Sequence, residues 1–415
     1  MQQTKSVQSV QSSAKDLFAQ VLDPANRHNP YPIYEQMRKT PVAQIDEHYY
    51  AVTSYPEILS VLHDPGVSKE QQKSSIPVEH LRNRAKQWIL FLDPPEHDKL
   101  RRLIMDQLTP ARVNGLHQFV DETVTELLDA QQNQQQFDLV DAFSYPLPVS
   151  VICKLLGVPR EDVYRFHEWV DLLTEGLDPN QSSDPRINQA FQAISAYMAH
   201  FIEQRRSHPQ DDMVSKLAIG DDPAGKMDDE TLISTTIMLL LAGHETTVNL
   251  ITNSMLTLLR YTEEWQKLQQ NPARVTLLVE EVLRYEPPVQ MASRFALTDM
   301  QLRGVTIPKG AGIRLILAAG SRDPQRFDHP NTFDPERTNN QHFGFGNGIH
   351  YCVGAPLARL ETHIALTALA RRLMQPRLVI DPPPYRENST LRGPLHLPIA
   401  FDHMEKASTS MASTL

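Results

Sequence analysis

A mainly α fold with a small β region is predicted for this chain of 415 residues, on three observations. Most of the sequence carries helical periodicity. One stretch, 228–261, is apolar on nearly every side, as in a helix buried through the middle of a domain. Strand signals are confined to short alternating pieces. A hydrophobic content of 40% fills a sizeable core, and neither an internal repeat nor a Gly/Ser linker divides the chain. We therefore expect one domain over 16–403, with disordered tails at 1–15, rich in Gln, Ser and Val, and at 404–415, mostly Ser, Thr and Ala.

The elements follow in order. Tyr49-Tyr50-Ala51-Val52-Thr53 reads as a strand. Asp93-Pro94-Pro95-Glu96 opens a helix on two prolines and an acid, and places His97 and Arg101, at i and i+4, on one cationic face. The 228–261 helix starts on acids and a Thr, Asp228-Asp229-Glu230-Thr231, which suits its N-terminus. Its middle, Ala242-Gly243-His244-Glu245-Thr246-Thr247, then breaks several local rules. Glycine costs about 1 kcal/mol against alanine, the β-branched residues add strain, and Glu245 brings a carboxylate into apolar surroundings. Broken rules in one place suggest function. Ala242, Thr246 and Asn249 share a face, with Ala242 and Gly243 leaving space beside it. The plain alternative is a Thr hydroxyl bonded to a carbonyl one turn earlier and a Glu in a surface pair.

Glu281 and Arg284 share a helix face between Asn271-Pro272 and Pro287-Pro288. On an exposed helix such a pair contributes only about 0.2–0.5 kcal/mol. Residues 302–310 suggest a hairpin turning at Pro308-Lys309-Gly310, and 314–317 a further strand.

The chemistry centres on Phe345-Gly346-Asn347-Gly348-Ile349-His350-Tyr351-Cys352-Val353-Gly354, where glycines and an aromatic surround one sulfur. A structural zinc site needs about four N/S ligands, and an iron–sulfur cluster several thiolates. Here the only other cysteine, Cys153, lies far away in an apolar stretch. A haem iron takes one axial protein ligand, a thiolate there pushes electron density onto the metal, and glycines let the backbone approach a flat macrocycle; the plain alternative is a buried, inert cysteine in a Gly-rich turn.

This run, followed by Ala355-Pro356-Leu357-Ala358-Arg359-Leu360-Glu361, resembles the haem-binding loop of bacterial cytochromes P450, and the resemblance extends from about Asn29 to Phe401. It implies a triangular helical prism around haem b, with Cys352 as the metal ligand and Phe345, Gly346 and Gly354 shaping the loop. It further implies dioxygen over Ala242 and Gly243, with Thr246 bonding the oxygen and Glu245 feeding protons from solvent. His97, Arg101, Arg294 and His350 match the positions that hold the haem propionates. Glu281, Arg284 and Arg337 match a scaffold triad under the loop. Family position suggests that Met238, Leu241, Val289, Gln290, Ala292, Pro394 and Leu395 line the substrate pocket, with the loop 67–89 and the segment 172–177. These are mainly apolar, which suits a fatty acid, terpenoid, steroid or polyketide.

The implied activity is hydroxylation of such a molecule, with two electrons from a separate ferredoxin or flavodoxin and its NAD(P)H-dependent reductase, since no reductase module is present in the chain. A peroxide-driven peroxygenase and a haem-thiolate sensor or carrier are the alternatives, and the Glu245-Thr246 pair argues against both. Lys99, Arg102, Arg359, Arg371 and Arg372 could form a basic patch for an acidic redox partner. Two departures stand out. Gly320-Ser321-Arg322-Asp323 replaces the commoner Ala-Asn-Arg-Asp, a change expected to affect packing more than chemistry, and His244 sits beside the acid. The net charge of −10 argues against nucleic-acid binding. No apolar run suits a signal peptide or membrane span, and two distant cysteines fit a reducing compartment, so a cytoplasmic location is expected.

Overall fold

The computed structural model of the chain describes residues 14–76, 88–176, 184–220 and 227–406. Its axis is the helix Asp229–Arg260, capped by the Asp228 carboxylate, which accepts from the Thr231 N–H at 2.9 Å. From Leu232 to Leu259 every residue is buried except Ile233, Ala242, Gly243 and Thr246. The helices Pro146–Leu156, Pro185–Ser207, Val275–Tyr285 and Ala355–Arg372 pack around it. Gly243 serves that packing. A Cβ there would lie 2.9 Å from Ile152 Cδ1 of the Pro146–Leu156 helix, so the side from which the side chain is missing is filled by Ile152, and the space expected there is not left by Gly243.

The β region stands at one side. Its main sheet runs Val42–Gln44, Tyr49–Val52, Gly312–Leu315, Ala292–Ala296, Val67–Ser68, parallel only between the second and third strands. Arg294 sits in this sheet opposite Ile313. The expected hairpin exists but turns elsewhere: Met300–Leu302 pairs with Val305–Ile307 around Arg303 and Gly304, whose φ angles are 50° and 77°. Two consecutive positive φ angles match the right-handed twist of a two-residue hairpin. Pro308-Lys309-Gly310 instead leads back into the main sheet, and the strand expected at 314–317 lies at Gly312–Leu315, followed by a short helix Leu317–Gly320. At the ends, residues 14–22 are helical and Met404 pairs with Leu373, so regular structure includes Ala14 and Lys15 of the expected N-terminal tail and Met404 of the C-terminal one. Among the described residues, no helix is long and apolar enough to cross a membrane.

Glu281 and Arg284 behave unlike an exposed i, i+3 pair, because both side chains are fully buried. Arg284 grips the carboxylate with two bonds, Nε to Oε2 at 2.8 Å and Nη2 to Oε1 at 2.7 Å. Its remaining donors reach the carbonyls of Ser321, Pro330 and Thr332 at 3.1, 2.8 and 3.0 Å. Glu281 also accepts from the Asp334 N–H at 2.9 Å and from Asn340 Nδ2 at 3.2 Å, while Arg337 Nε lies 3.6 Å from Oε1. One buried pair thus organises the segment 321–340. The unusual Gly320-Ser321-Arg322-Asp323 does contribute packing and bonds. Ser321 Oγ accepts from the Phe343 N–H at 3.2 Å, Asp323 Oδ2 accepts from the Tyr55 N–H at 2.6 Å, and a Cβ on Gly320 would meet Ile58 at 2.7 Å.

A second pair ties the same helix to Ala355–Arg372: Arg359 Nε lies 2.6 Å from Glu280 Oε1 and Nη2 2.9 Å from Oε2. Burial would raise the Glu280 carboxyl, but Arg359 and His342 outweigh it and hold the group at about 2, below its ordinary 4.5.

Removing one partner of the buried pair leaves an uncompensated charge, so Arg284→Ala is expected to lose about 3–5 kcal/mol of stability, read from urea unfolding. For Glu280 the folded value is depressed, so its stabilisation is present above pH 4.5 and is lost as pH falls towards 2. The stability gap between the parent and Glu280→Gln should therefore close over that range.

Candidate active site

The Cys352 loop is placed from below. A Cβ on Gly344 would lie 2.7 Å from the Leu283 carbonyl, so the chain passes directly against the helix that carries Glu281 and Arg284. Gly346 and Gly348 both have φ of 70°, and a Cβ on Gly348 would meet the Leu62 carbonyl at 2.4 Å. The Cys352 N–H donates to the Phe345 carbonyl at 3.0 Å and closes the loop. Arg359 stacks on the Phe345 ring, 4.5 Å from its centroid.

The two sulfurs differ. Cys153 is packed inside Pro146–Leu156, where burial pushes its thiol up to about 12. Cys352 is half-buried. Burial raises its thiol too, while the Gly354 and Ala355 N–H groups and the Arg101 and Arg359 charges pull it back. The net direction is upward, and the N–H groups and the two charges are what would steady the sulfur as a thiolate on binding a metal.

Beside the loop, cationic and hydrogen-bonding groups crowd together. The His97 and His350 rings lie 4.5 Å apart, and Arg101 Nη1 donates to the Tyr351 carbonyl at 2.9 Å. Arg294 is 5% exposed, bonds the Ser293 carbonyl at 2.9 Å, and has no ion pair with any described residue. Burial pushes its guanidinium down to about 10. His350 is driven down to about 2 by burial and then by the charges of Lys69, Arg294, His97 and Arg101. His97 is 1% exposed; its Nδ1 faces Asp98 Oδ1 at 2.9 Å, but its Nε2 is buried with no partner among the described residues. The nearby Asp93 is occupied by Ser68, the Lys69 N–H and Lys73, at 2.5, 2.9 and 2.9 Å. A buried guanidinium, the half-buried charges of Arg101 and Lys69 beside it, and a buried ring nitrogen with no partner among the described residues call for an anion. The carboxylates of a haem fit that requirement, so all four residues expected to hold propionates are brought together next to Cys352. Lys69, which the sequence reading passed over, joins them through the charge it exerts on His350.

On the central helix, Ala242 is exposed and Gly243 and Thr246 are half-exposed, the one opening midway along a buried rod. Thr246 Oγ1 donates to the Ala242 carbonyl at 2.8 Å, the back-bond of the plain alternative, which leaves its oxygen lone pairs to accept. Glu245 is no surface residue: it is 2% exposed, accepts from Asn249 Nδ2 at 3.1 Å, and lies 3.2 Å from Arg386 Nε. Burial raises its carboxyl, against the pull of Arg386. Asn249 therefore serves Glu245 rather than the open face. His244 is buried with Tyr145 edge-on at 4.4 Å. No local signal announced Arg386, which lies 141 positions beyond Glu245 in the chain.

Of the expected pocket residues, Met238 and Leu241 are buried on the central helix, Val289 and Ala292 are half-buried, Pro394 is buried and Leu395 is exposed. Gln290 needs correction. Its side chain is 2% exposed, accepts from Tyr34 Oη at 3.1 Å and donates to the Pro287 carbonyl at 2.7 Å, so it is a scaffold residue. Residues 77–87 of the expected loop, and Leu177, lie outside the described residues. The basic patch shrinks as well. Arg359 is held by Glu280, and Arg372 is 5% exposed and paired with Asp129 at 2.7 Å, leaving Lys99, Arg102 and Arg371 exposed.

Comparison with known proteins agrees with this arrangement. The family model described as Cytochrome P450 matches residues 22–376. The biotin biosynthesis cytochrome P450 of Bacillus subtilis is 37% identical over 382 residues, covering 90% of this chain and 96% of that protein. The ligand-free crystal structure of Mycobacterium smegmatis CYP164A2 superposes with a TM-score of 0.87 at 40% identity, over 93% of this chain and 100% of that one. P450BioI in complex with hexadec-9Z-enoic acid ligated acyl carrier protein superposes with a TM-score of 0.85 at 35% identity, over 91% and 99%. The chain belongs to the cytochrome P450 family and is a haem-thiolate monooxygenase.

Proposed function

We propose that Cys352 provides the thiolate of this monooxygenase, that His97, Arg101, Arg294 and His350 hold the haem propionates, and that Glu245 and Thr246 handle protons during hydroxylation of a hydrophobic small molecule. The observation that carries this reading is the buried Arg294 guanidinium, with Arg101 and Lys69 near it, and the His97 Nε2 that has no partner among the described residues, all beside the Cys352 loop. The overall change is RH + O2 + 2 electrons + 2 protons to ROH + water.

When bound, haem supplies the reductive cleavage of dioxygen and the insertion of oxygen into a C–H bond. The chain does the rest. The N–H groups of Gly354 and Ala355 spread the negative charge of the sulfur, and Arg101 fixes the neighbouring Tyr351 carbonyl. Thr246, with its proton given to the Ala242 carbonyl, is set to accept a hydrogen bond at the open face. Glu245 is the nearest acid on the same helix, and its buried carboxyl holds a proton more readily than a surface one. The apolar Met238 and Leu241 support a fatty acid, terpenoid, steroid or polyketide as substrate, and the fatty acyl ligand in the P450BioI complex has that character. Electrons come from a ferredoxin or flavodoxin with its NAD(P)H-dependent reductase.

Thr246→Ala should keep its haem and bind substrate normally, yet yield severalfold less product per NAD(P)H consumed, the remainder appearing as hydrogen peroxide. An unchanged yield would contradict the assigned oxygen activation. Arg294→Ala, which removes a buried cation from the cluster, should lose haem faster on dilution than the parent, followed by the decay of its Soret absorbance.

A further inference from the structure

We infer that Arg386 is a positioning residue for the proton-handling acid: from a loop laid over the central helix, its guanidinium sets the orientation and charge state of Glu245. The inference rests on the proton role proposed for Glu245 above and adds the residue that controls it.

The geometry is asymmetric. Asn249 Nδ2 donates to Oε1 of Glu245 at 3.1 Å, and Arg386 Nε lies 3.2 Å from the same oxygen as an ion-pair contact rather than a hydrogen bond. Oε2, which meets no hydrogen-bond donor among the described residues, is left as the oxygen that takes up and releases a proton. The loop carrying Arg386 is firmly seated. The Arg386 N–H donates to the Gly393 carbonyl at 3.3 Å, and the Leu395 N–H to the Pro384 carbonyl at 2.8 Å. Gly393 presses on the central helix so closely that a Cβ would lie 2.0 Å from Asn249 Oδ1. Asn253 Nδ2, one turn further along, donates to the Arg392 carbonyl at 3.0 Å, and Asn388 Nδ2 to the Thr174 carbonyl of the helix Val163–Glu175 at 3.3 Å.

The charged and titratable groups around Glu245 come from each of these elements. Arg386 belongs to the loop, Asp171 to Val163–Glu175, His244 to the central helix itself, and Tyr145 to the start of Pro146–Leu156. Tyr145 Oη donates to Asp171 Oδ1 at 3.0 Å. Among the described residues Arg386 is the one cation of this group, and its side chain is 22% exposed, so the pair stands at the boundary between solvent and core. A guanidinium stays charged and does not pass a proton on. Its effect is electrostatic, favouring the ionised carboxylate against desolvation, so that Glu245 can both give up a proton and regain one.

The sign follows. Without Arg386, desolvation and Asp171 are opposed by the Asn249 hydrogen bond alone, the Glu245 carboxyl keeps its proton to higher pH, and the acidic limb of coupled turnover moves up. The test uses the haem-loaded full chain with one redox pair and one accepted substrate, comparing the parent with Arg386→Gln, Arg386→Lys and Glu245→Gln. Product per NAD(P)H is followed against pH, with substrate Kd and the spectrum measured alongside. Arg386→Gln should shift the acidic limb upward by about 1 unit or more, Arg386→Lys should restore most of it, and Kd and spectrum should stay unchanged. An Arg386→Gln limb superimposed on the parent's, or a change in Kd or haem content alone, overturns the inference. A Lys variant that folds but titrates like the Gln variant overturns it as well. If Glu245→Gln itself leaves coupling untouched, the fault lies in the proton role of Glu245 proposed above, and the role of Arg386 falls with it.

Discussion

A carboxylate and a guanidinium with no access to water hold the surroundings of Cys352 in place. Glu281 and Arg284 could not remain buried alone, because each charge would lack the hydration it left behind. Together they satisfy one another, and the donors and lone pairs left over recruit backbone from Ser321 to Asp334 and the side chain of Asn340. Replacing such a pair with apolar residues is often neutral for stability. What this one contributes is position. It fixes the floor against which Gly344 is pressed, and the turns at Gly346 and Gly348 then lift the chain to Cys352.

The two working faces of the site are energetically incomplete in opposite ways. Next to the loop, positive charge is in excess: Arg294 is buried with no ion pair among the described residues, and burial together with the neighbouring charges pushes His350 far below the range in which histidine is charged. Across the central helix, polarity is nearly balanced, with Glu245 set between Arg386 and Asn249, while space is what remains. The haem implied by the family would carry the carboxylates that the first face calls for, and the residues of both faces are the ones that would hold it.

How much of this was legible in the sequence depended on the range of each interaction. The 228–261 helix, the loop at 345–354 and the Glu281-Arg284 spacing are local patterns, and the structure places helix ends and turns at or within a residue or two of them. Other features needed partners distant in the chain. The burial of Glu281 and Arg284 cannot be read from i, i+3 spacing, which is the same on a solvated helix. Arg359 and Arg372 looked like surface charge until Glu280 and Asp129 met them. Gln290 looked like pocket lining by position, yet its amide is consumed by Tyr34 and Pro287. The hairpin was displaced because Pro-Lys-Gly is a strong turn signal, whereas Arg303 adopts its positive φ only because Gly304 and the pairing of two short strands support it.

The central claim is that the lone sulfur of Cys352 is the ligand around which these faces are built. The most direct measurement is the absorption spectrum of the purified protein, reduced with dithionite under carbon monoxide, beside that of Cys352→His. The account predicts a Soret band far to the red of an ordinary carbonyl haem in the parent, and its return to the ordinary position in the variant. A histidine-type carbonyl spectrum in the parent, or a red-shifted band that survives the substitution, would contradict it.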